Sequence, residues 1–120
     1  MGTASPPVDL TRYNAAVDLV ESNLAAGRAE KLAYIDDHGH YTYADLNLAV
    51  RRASSALRAA GLQPEQRVLL CMHDCFALVA TFLGAIRAGI VPVLANTLLT
   101  SDDYAYLLAD SRAAVAIVSA

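Results

Sequence analysis

The stretch from Arg67 to Leu94, RVLLCMHDCFALVATFLGAIRAGIVPVL, decides the fold. Val68 to Met72 is apolar without alternation, the pattern of a strand covered on both faces. Cys75 to Ala88 is apolar almost all round and too long for a strand, so it reads as a buried helix. Asp74 is placed to cap that helix and Gly89 to end it. Val91 to Ala95 then repeats the two-sided strand pattern. Phe76 to Leu99 also invites a membrane reading, but Arg87, Gly89 and Pro92 lie near its middle. A central arginine costs roughly 2.5–3.5 kcal/mol on insertion scales, and the proline breaks the spiral. A buried helix followed by a buried strand accounts for the same residues without either cost.

Downstream, Thr100 and Asp103 form a T-x-x-D capping box, opening a short helix with Tyr104, Leu107 and Leu108 inward. Ala114 to Val118 is a third apolar strand. Strand–helix–strand–helix–strand predicts a parallel sheet with right-handed crossovers. Upstream, Thr42 and Asp45 form a matching box before a long helix. Leu46, Ala49, Val50, Ala53, Leu57 and Ala60 mark its inner face, and Gly61 and Pro64 end it. Before it, Leu32–Asp36 and Tyr41–Tyr43 flank the turn residues 37–40 and make a small hairpin. Tyr13 to Leu24 is a short amphipathic helix ended by Gly27, and residues 1–12, with Pro6-Pro7, read as a flexible arm. The fold class is therefore α/β: a βαβαβ parallel sheet preceded by a helix and a small hairpin. So apolar a parallel sheet needs cover on both faces and more strands at its edges. Residues 13–120 are accordingly expected to be an incomplete subdomain of something larger. The rival reading is a compact, non-catalytic α/β interaction module.

Composition excludes several classes. The chain has 120 residues, a 56% apolar share and a net charge of −3, which offers no electrostatic case for nucleic acid. Met1 to Pro7 has no basic region and no apolar run follows it, so a secretory leader is not expected. Two cysteines in apolar surroundings suit a reducing cytoplasm.

Few residues carry candidate chemistry. Cys71-Met72-His73-Asp74-Cys75 gathers four metal-ligand side chains, but not in the separated pairs that structural zinc sites use. No metal site is expected. The six glycines are scattered, and the loop after the first parallel strand has none, so no phosphate-cradling turn is present. His38 and His40 flank a turn glycine and are expected to face solvent. Arg87 is the one charge in its apolar helix; it either complements the helix dipole beside an acid or binds a phosphate.

In order and spacing, these segments resemble the start of an acyl-activating enzyme of the adenylate-forming superfamily, which includes acyl-CoA synthetases, luciferases and peptide-synthetase adenylation domains. The carriers are Tyr41 to Leu46 entering a long helix, Gly61-Leu62 before Arg67-Val68, Phe82 to Val93, and Leu107 to Ser111 before the last strand. Tyr13 to Val20, Lys31 to Asp37, and Asn96 to Leu108 are closer to benzoate-CoA ligases and their hydroxybenzoate relatives. The resemblance implies the N-terminal part of the large AMP-binding domain of an acid–thiol ligase of aromatic degradation. It would join benzoate, ATP and coenzyme A through benzoyl-adenylate, with Mg²⁺, in the cytoplasm. A hydroxybenzoate or other acyl-CoA ligase is the neighbouring alternative.

The same resemblance implies that the phosphate loop, the ATP-binding motifs and the catalytic lysine have no matching position in these residues; Lys31 matches no such motif. No catalytic residue is therefore assigned, the 120 residues alone are expected to be inactive, and no cofactor is expected to bind them. The implied partners are an aromatic carboxylate and the remainder of the same domain, with neither nucleic acid nor membrane, and self-association is left open. Arg87 matches an arginine that contacts a CoA nucleotide phosphate in related aryl-CoA ligases.

Overall fold

The computed structural model describes residues 11–119, so the expected arm lies outside it except for Thr11 and Arg12. The elements are α1 (Ala15–Ala25), β1 (Leu32–Asp36), β2 (Gly39–Thr42), α2 (Tyr43–Ala59), β3 (Arg67–Cys71), α3 (Phe76–Arg87), β4 (Val91–Leu94), α4 (Ser101–Ser111) and β5 (Val115–Val118). β1 and β2 form an antiparallel hairpin, and the parallel sheet has the order β4-β3-β5. The expected α/β architecture is present.

Local chemistry explains most boundaries. The hydroxyl of Thr42 accepts from the Asp45 amide at 3.2 Å, while the Asp45 carboxylate accepts from the Thr42 amide at 2.9 Å. Thr100 and Asp103 repeat the device, with both bonds at 3.2 Å. Gly27, Gly61 and Gly89 stand at φ of +82°, +94° and +78°, closing α1, α2 and α3 in the left-handed region that glycine alone enters without strain.

The first parallel strand is central and the other two are edges. Val68 and Leu70 are wholly buried against α2 and α3, with Leu57, Leu62, Ala85, Ala88 and Ile90. A second cluster joins α1, α2 and α3 through Ala16, Val20, Leu46, Val50 and Leu83. α3 serves both cores. Its Gly84 is pressed onto α2 so closely that a Cβ there would meet the Ala53 Cβ at 2.7 Å and the Val50 carbonyl oxygen at 2.9 Å.

Three expectations need correction. Asp74 is exposed and does not cap α3; Cys75 holds the N-cap position without a side-chain bond. The Phe76 amide donates instead to Asp36 Oδ2 at 2.9 Å, and Asp36 Oδ1 accepts from the His38 and Gly39 amides of the hairpin turn. Secondly, β4 is not covered on both faces: Val91 and Leu94 are 40% and 58% exposed, because β4 pairs on one side only among the described residues. Thirdly, α4 buries no side chain, and Leu108, expected inward, is exposed. The helix lies on a face that the described residues leave thinly covered.

Candidate functional site

Two places gather polar side chains, and the topology makes both. Along β3, Val68 and Leu70 point to α2 and α3, so Leu69 and Cys71 point to the other face. There Cys71 Sγ and the Tyr104 hydroxyl both approach the Asn96 carbonyl oxygen, at 3.9 and 2.7 Å. α3 and α4 therefore lie on opposite faces, as right-handed crossovers leaving β3 and β4 in opposite directions require. The loops after these adjacent strands part, and a crevice opens at their carboxyl ends, where open α/β sheets commonly bind ligands. It has a volume of about 510 Å³, with Met72, His73 and Asp74 on one wall and Leu94, Asn96 and Thr97 on the other.

Tyr104 holds the second wall in place. Its oxygen also accepts from the Leu99 amide at 3.1 Å, and the Asn96 carboxamide oxygen accepts from the Leu98 amide at 2.9 Å. Burial, with the neighbouring Cys71 thiol, pushes the Tyr104 phenol above its ordinary pKa, so it remains a neutral donor. His73 is anchored by its backbone, which donates to Ser119 Oγ at 2.9 Å. The crevice can accept a small polar group, and it offers donors and acceptors rather than a glycine-rich phosphate cradle. Among the described residues no three His, Cys, Asp or Glu side chains are grouped to hold a metal ion, and Cys71 and Cys75 are free thiols. His38 and His40 are exposed.

The second place is the far end of α3. Asn14 caps α1 by accepting from the Ala16 and Val17 amides at 3.1 and 3.2 Å. Its side-chain nitrogen donates to the Ile86 carbonyl at 2.9 Å, so the same residue satisfies a free carbonyl at the end of α3. About two helical turns further along α1, Glu21 Oε1 accepts from Arg87 Nη1 at 2.7 Å and from Arg51 Nη2 at 2.8 Å. Three helices meet at this carboxylate. Arg87 is half-buried there, a cation in the last turn of α3 and beside an acid, the arrangement that the first of its two readings describes. Sequence reasoning did not find Glu21, Arg51, Asn14 or Asp36 as partners. Asn14 carried a signal, being a preferred cap residue ahead of an alanine-rich turn. The other pairings join residues 30 or more positions apart, which local patterns do not encode.

No described helix is long and apolar enough to cross a membrane. A family model for AMP-binding enzymes matches residues 22–120. The chain is 58% identical over 109 residues to the benzoate–CoA ligase of Thauera aromatica, covering 90% of this chain and 21% of that protein. It is 48% identical over 110 residues to a 4-hydroxybenzoate–CoA/benzoate–CoA ligase of Rhodopseudomonas palustris, covering 92% of this chain and 20% of that one. Among solved structures, a benzoate CoA ligase from Burkholderia xenovorans LB400 superposes with a TM-score of 0.84 at 51% identity, over 88% of this chain and 21% of the other. The chain thus spans about a fifth of the length of the relatives it matches. With nearly all of its described elements inside the matched region, the chain belongs to the AMP-binding enzyme family.

Proposed function

We propose that these residues are the N-terminal part of an ATP-dependent benzoate-CoA ligase of the cytoplasm. The observation that carries the reading is the 58% identity to the Thauera aromatica enzyme across almost the whole chain. In that reaction a benzoate oxygen attacks the α-phosphorus of ATP and pyrophosphate leaves. The thiol of coenzyme A then attacks the acyl carbon of benzoyl-adenylate, and AMP leaves with the electron pair of the broken anhydride bond. Two free thiols, one of them buried, support a reducing compartment.

Residues 13–120 act in this reading as scaffold. Among the described residues β4 and β5 pair on one side only and α4 has no buried side chain, which supports an unfinished subdomain that further chain completes. Among the described residues no group of three His, Cys, Asp or Glu side chains is placed to hold the family's Mg²⁺. Arg87 is the single residue given a ligand, a nucleotide phosphate of coenzyme A. Supporting this, its guanidinium sits at a helix end on a part-exposed surface, sharing one carboxylate with Arg51, so the cluster of two cations and one anion keeps a net positive charge.

The test uses the complete enzyme that contains these residues. It should catalyse benzoate-dependent ATP–pyrophosphate exchange and form benzoyl-CoA, whereas the 120 residues alone should do neither. Preference for a fatty acid over benzoate would overturn the substrate, and exchange by the short chain would overturn the scaffold role. The Rhodopseudomonas palustris relative, whose name includes both acids, favours 4-hydroxybenzoate as the second substrate to try. Arg87→Ala should raise the KM for CoA and leave the exchange reaction unchanged; an unchanged KM with lowered stability would return Arg87 to a structural role.

A further inference from the structure

Building on the assignment of Arg87 to a CoA phosphate, we infer that Glu21 and Arg51 are positioning residues that set the strength of that contact from opposite sides. Glu21 Oε1 holds Arg87 Nη1 at 2.7 Å and Arg51 Nη2 at 2.8 Å, one carboxylate oxygen serving two guanidiniums. A guanidinium has five N–H donors in a rigid fork, so engaging one leaves a pair for a phosphate. Glu21 thus fixes the direction of the Arg87 fork. Its charge also opposes any anion that arrives.

Arg51 offsets that opposition. With it, the cluster carries two positive charges and one negative; without it, Glu21 and Arg87 form a neutral pair with little pull on an anion. Arg51 is itself steadied on α2, where its Nε donates to Asn47 Oδ1 at 3.3 Å. Asn14 ties the end of α3 to α1 through the Ile86 carbonyl, which keeps the backbone beneath Arg87 from moving away from Glu21. Removing the acid's charge while keeping its shape therefore strengthens phosphate binding, and removing Arg51 weakens it. A structural ion-pair cluster has no such opposed signs, since either loss only loosens the helices.

The experiment measures KM for CoA and kcat in the complete enzyme, with ATP–pyrophosphate exchange as the CoA-independent reference for each variant. Glu21→Gln should lower the KM for CoA and Arg51→Ala should raise it, each by about two- to five-fold, the size expected for one partly screened charge near a phosphate. Both shifts should shrink at high salt, and Arg51→Lys should restore the wild-type KM. If Arg87→Ala raises the KM while Glu21→Gln and Arg51→Ala leave it unchanged or move it the same way, the inference falls and the Arg87 contact stands. If Arg87→Ala leaves the KM unchanged, the Arg87 contact itself falls, and the inference with it.

Discussion

The carboxylate of Asp36 accepts the amide hydrogen of Phe76 across 2.9 Å, so a hairpin turn caps a helix that starts 40 residues further along the chain. The ring of Phe76 stacks on Tyr41 of the same hairpin, with centroids 3.8 Å apart and planes 2° from parallel. Together these contacts fasten the hairpin to the start of α3, and through α3 to both apolar cores.

The Asp36 bond makes stability depend on pH in a defined direction. The Phe76 amide, then those of His38 and Gly39, hold its carboxyl below the ordinary value of 3.8 against the opposing effect of desolvation. A depressed carboxylate pKa adds stability above the unfolded value, and that stability is lost as pH falls through the folded one. Asp36→Asn should therefore lower the thermal midpoint at pH 6–7, and the gap from wild type should close as pH drops below about 4. Thermal scans across that range would check it; a gap independent of pH would show that the charge is not involved.

At Gly84 the expected outcome contradicts helix propensity. Alanine gains about 1 kcal/mol over glycine inside a helix. Here its Cβ would fall 2.7 Å from the Ala53 Cβ, 2.9 Å from the Val50 carbonyl oxygen and 3.0 Å from the Ser54 amide nitrogen, two of them backbone atoms with no room to turn aside. Gly84→Ala should destabilise by about 1–3 kcal/mol, the usual range for overpacking. Urea denaturation with a lower midpoint and an unchanged slope is the expected result.

The two capping boxes should respond differently to the same change. Thr42→Ala removes the cap of a helix that buries Leu46, Val50, Ser54 and Leu57, and should lower global stability by about 1 kcal/mol. Thr100→Ala uncaps α4, which buries nothing among the described residues. Its effect should appear as faster hydrogen exchange confined to the amides of α4, with the slowest-exchanging amides of β3 unaffected.

Leu70→Ala empties a wholly buried site and should cost about 2–5 kcal/mol. Leu94→Ala probes the proposal that further chain completes the sheet. Leu94 is 58% exposed among the described residues, where its loss should change stability by no more than about 0.5 kcal/mol. If further chain covers the edge, as proposed, the loss in the complete enzyme should exceed about 1 kcal/mol. Equal, small changes in both backgrounds would leave β4 facing water.

What the sequence makes legible follows from the range of the interactions concerned. Both T-x-x-D boxes, the glycine stops after α1, α2 and α3, and the unbroken apolar run of β3 are encoded within a few residues, and all are present as read. The end of α4 is harder to see, because Arg112 takes the left-handed position at φ +54° where a glycine would have announced it. Asp74 was the nearest acid to α3, yet a carboxylate from a hairpin fills the role, since helix caps are satisfied by whatever the tertiary fold brings near. Arg87 stands out by its charge, but Glu21 and Arg51, which determine its surroundings, lie on other helices and look like ordinary surface residues in their own segments.

The order β4-β3-β5 also has a consequence for synthesis. The middle strand is the first of the three to be made, so each later strand leaves the ribosome after the strand it pairs with has been synthesised. Neither β4 nor β5 must wait for a neighbour that has yet to be translated, and the sheet can be laid down outward from its centre, first on one flank and then on the other.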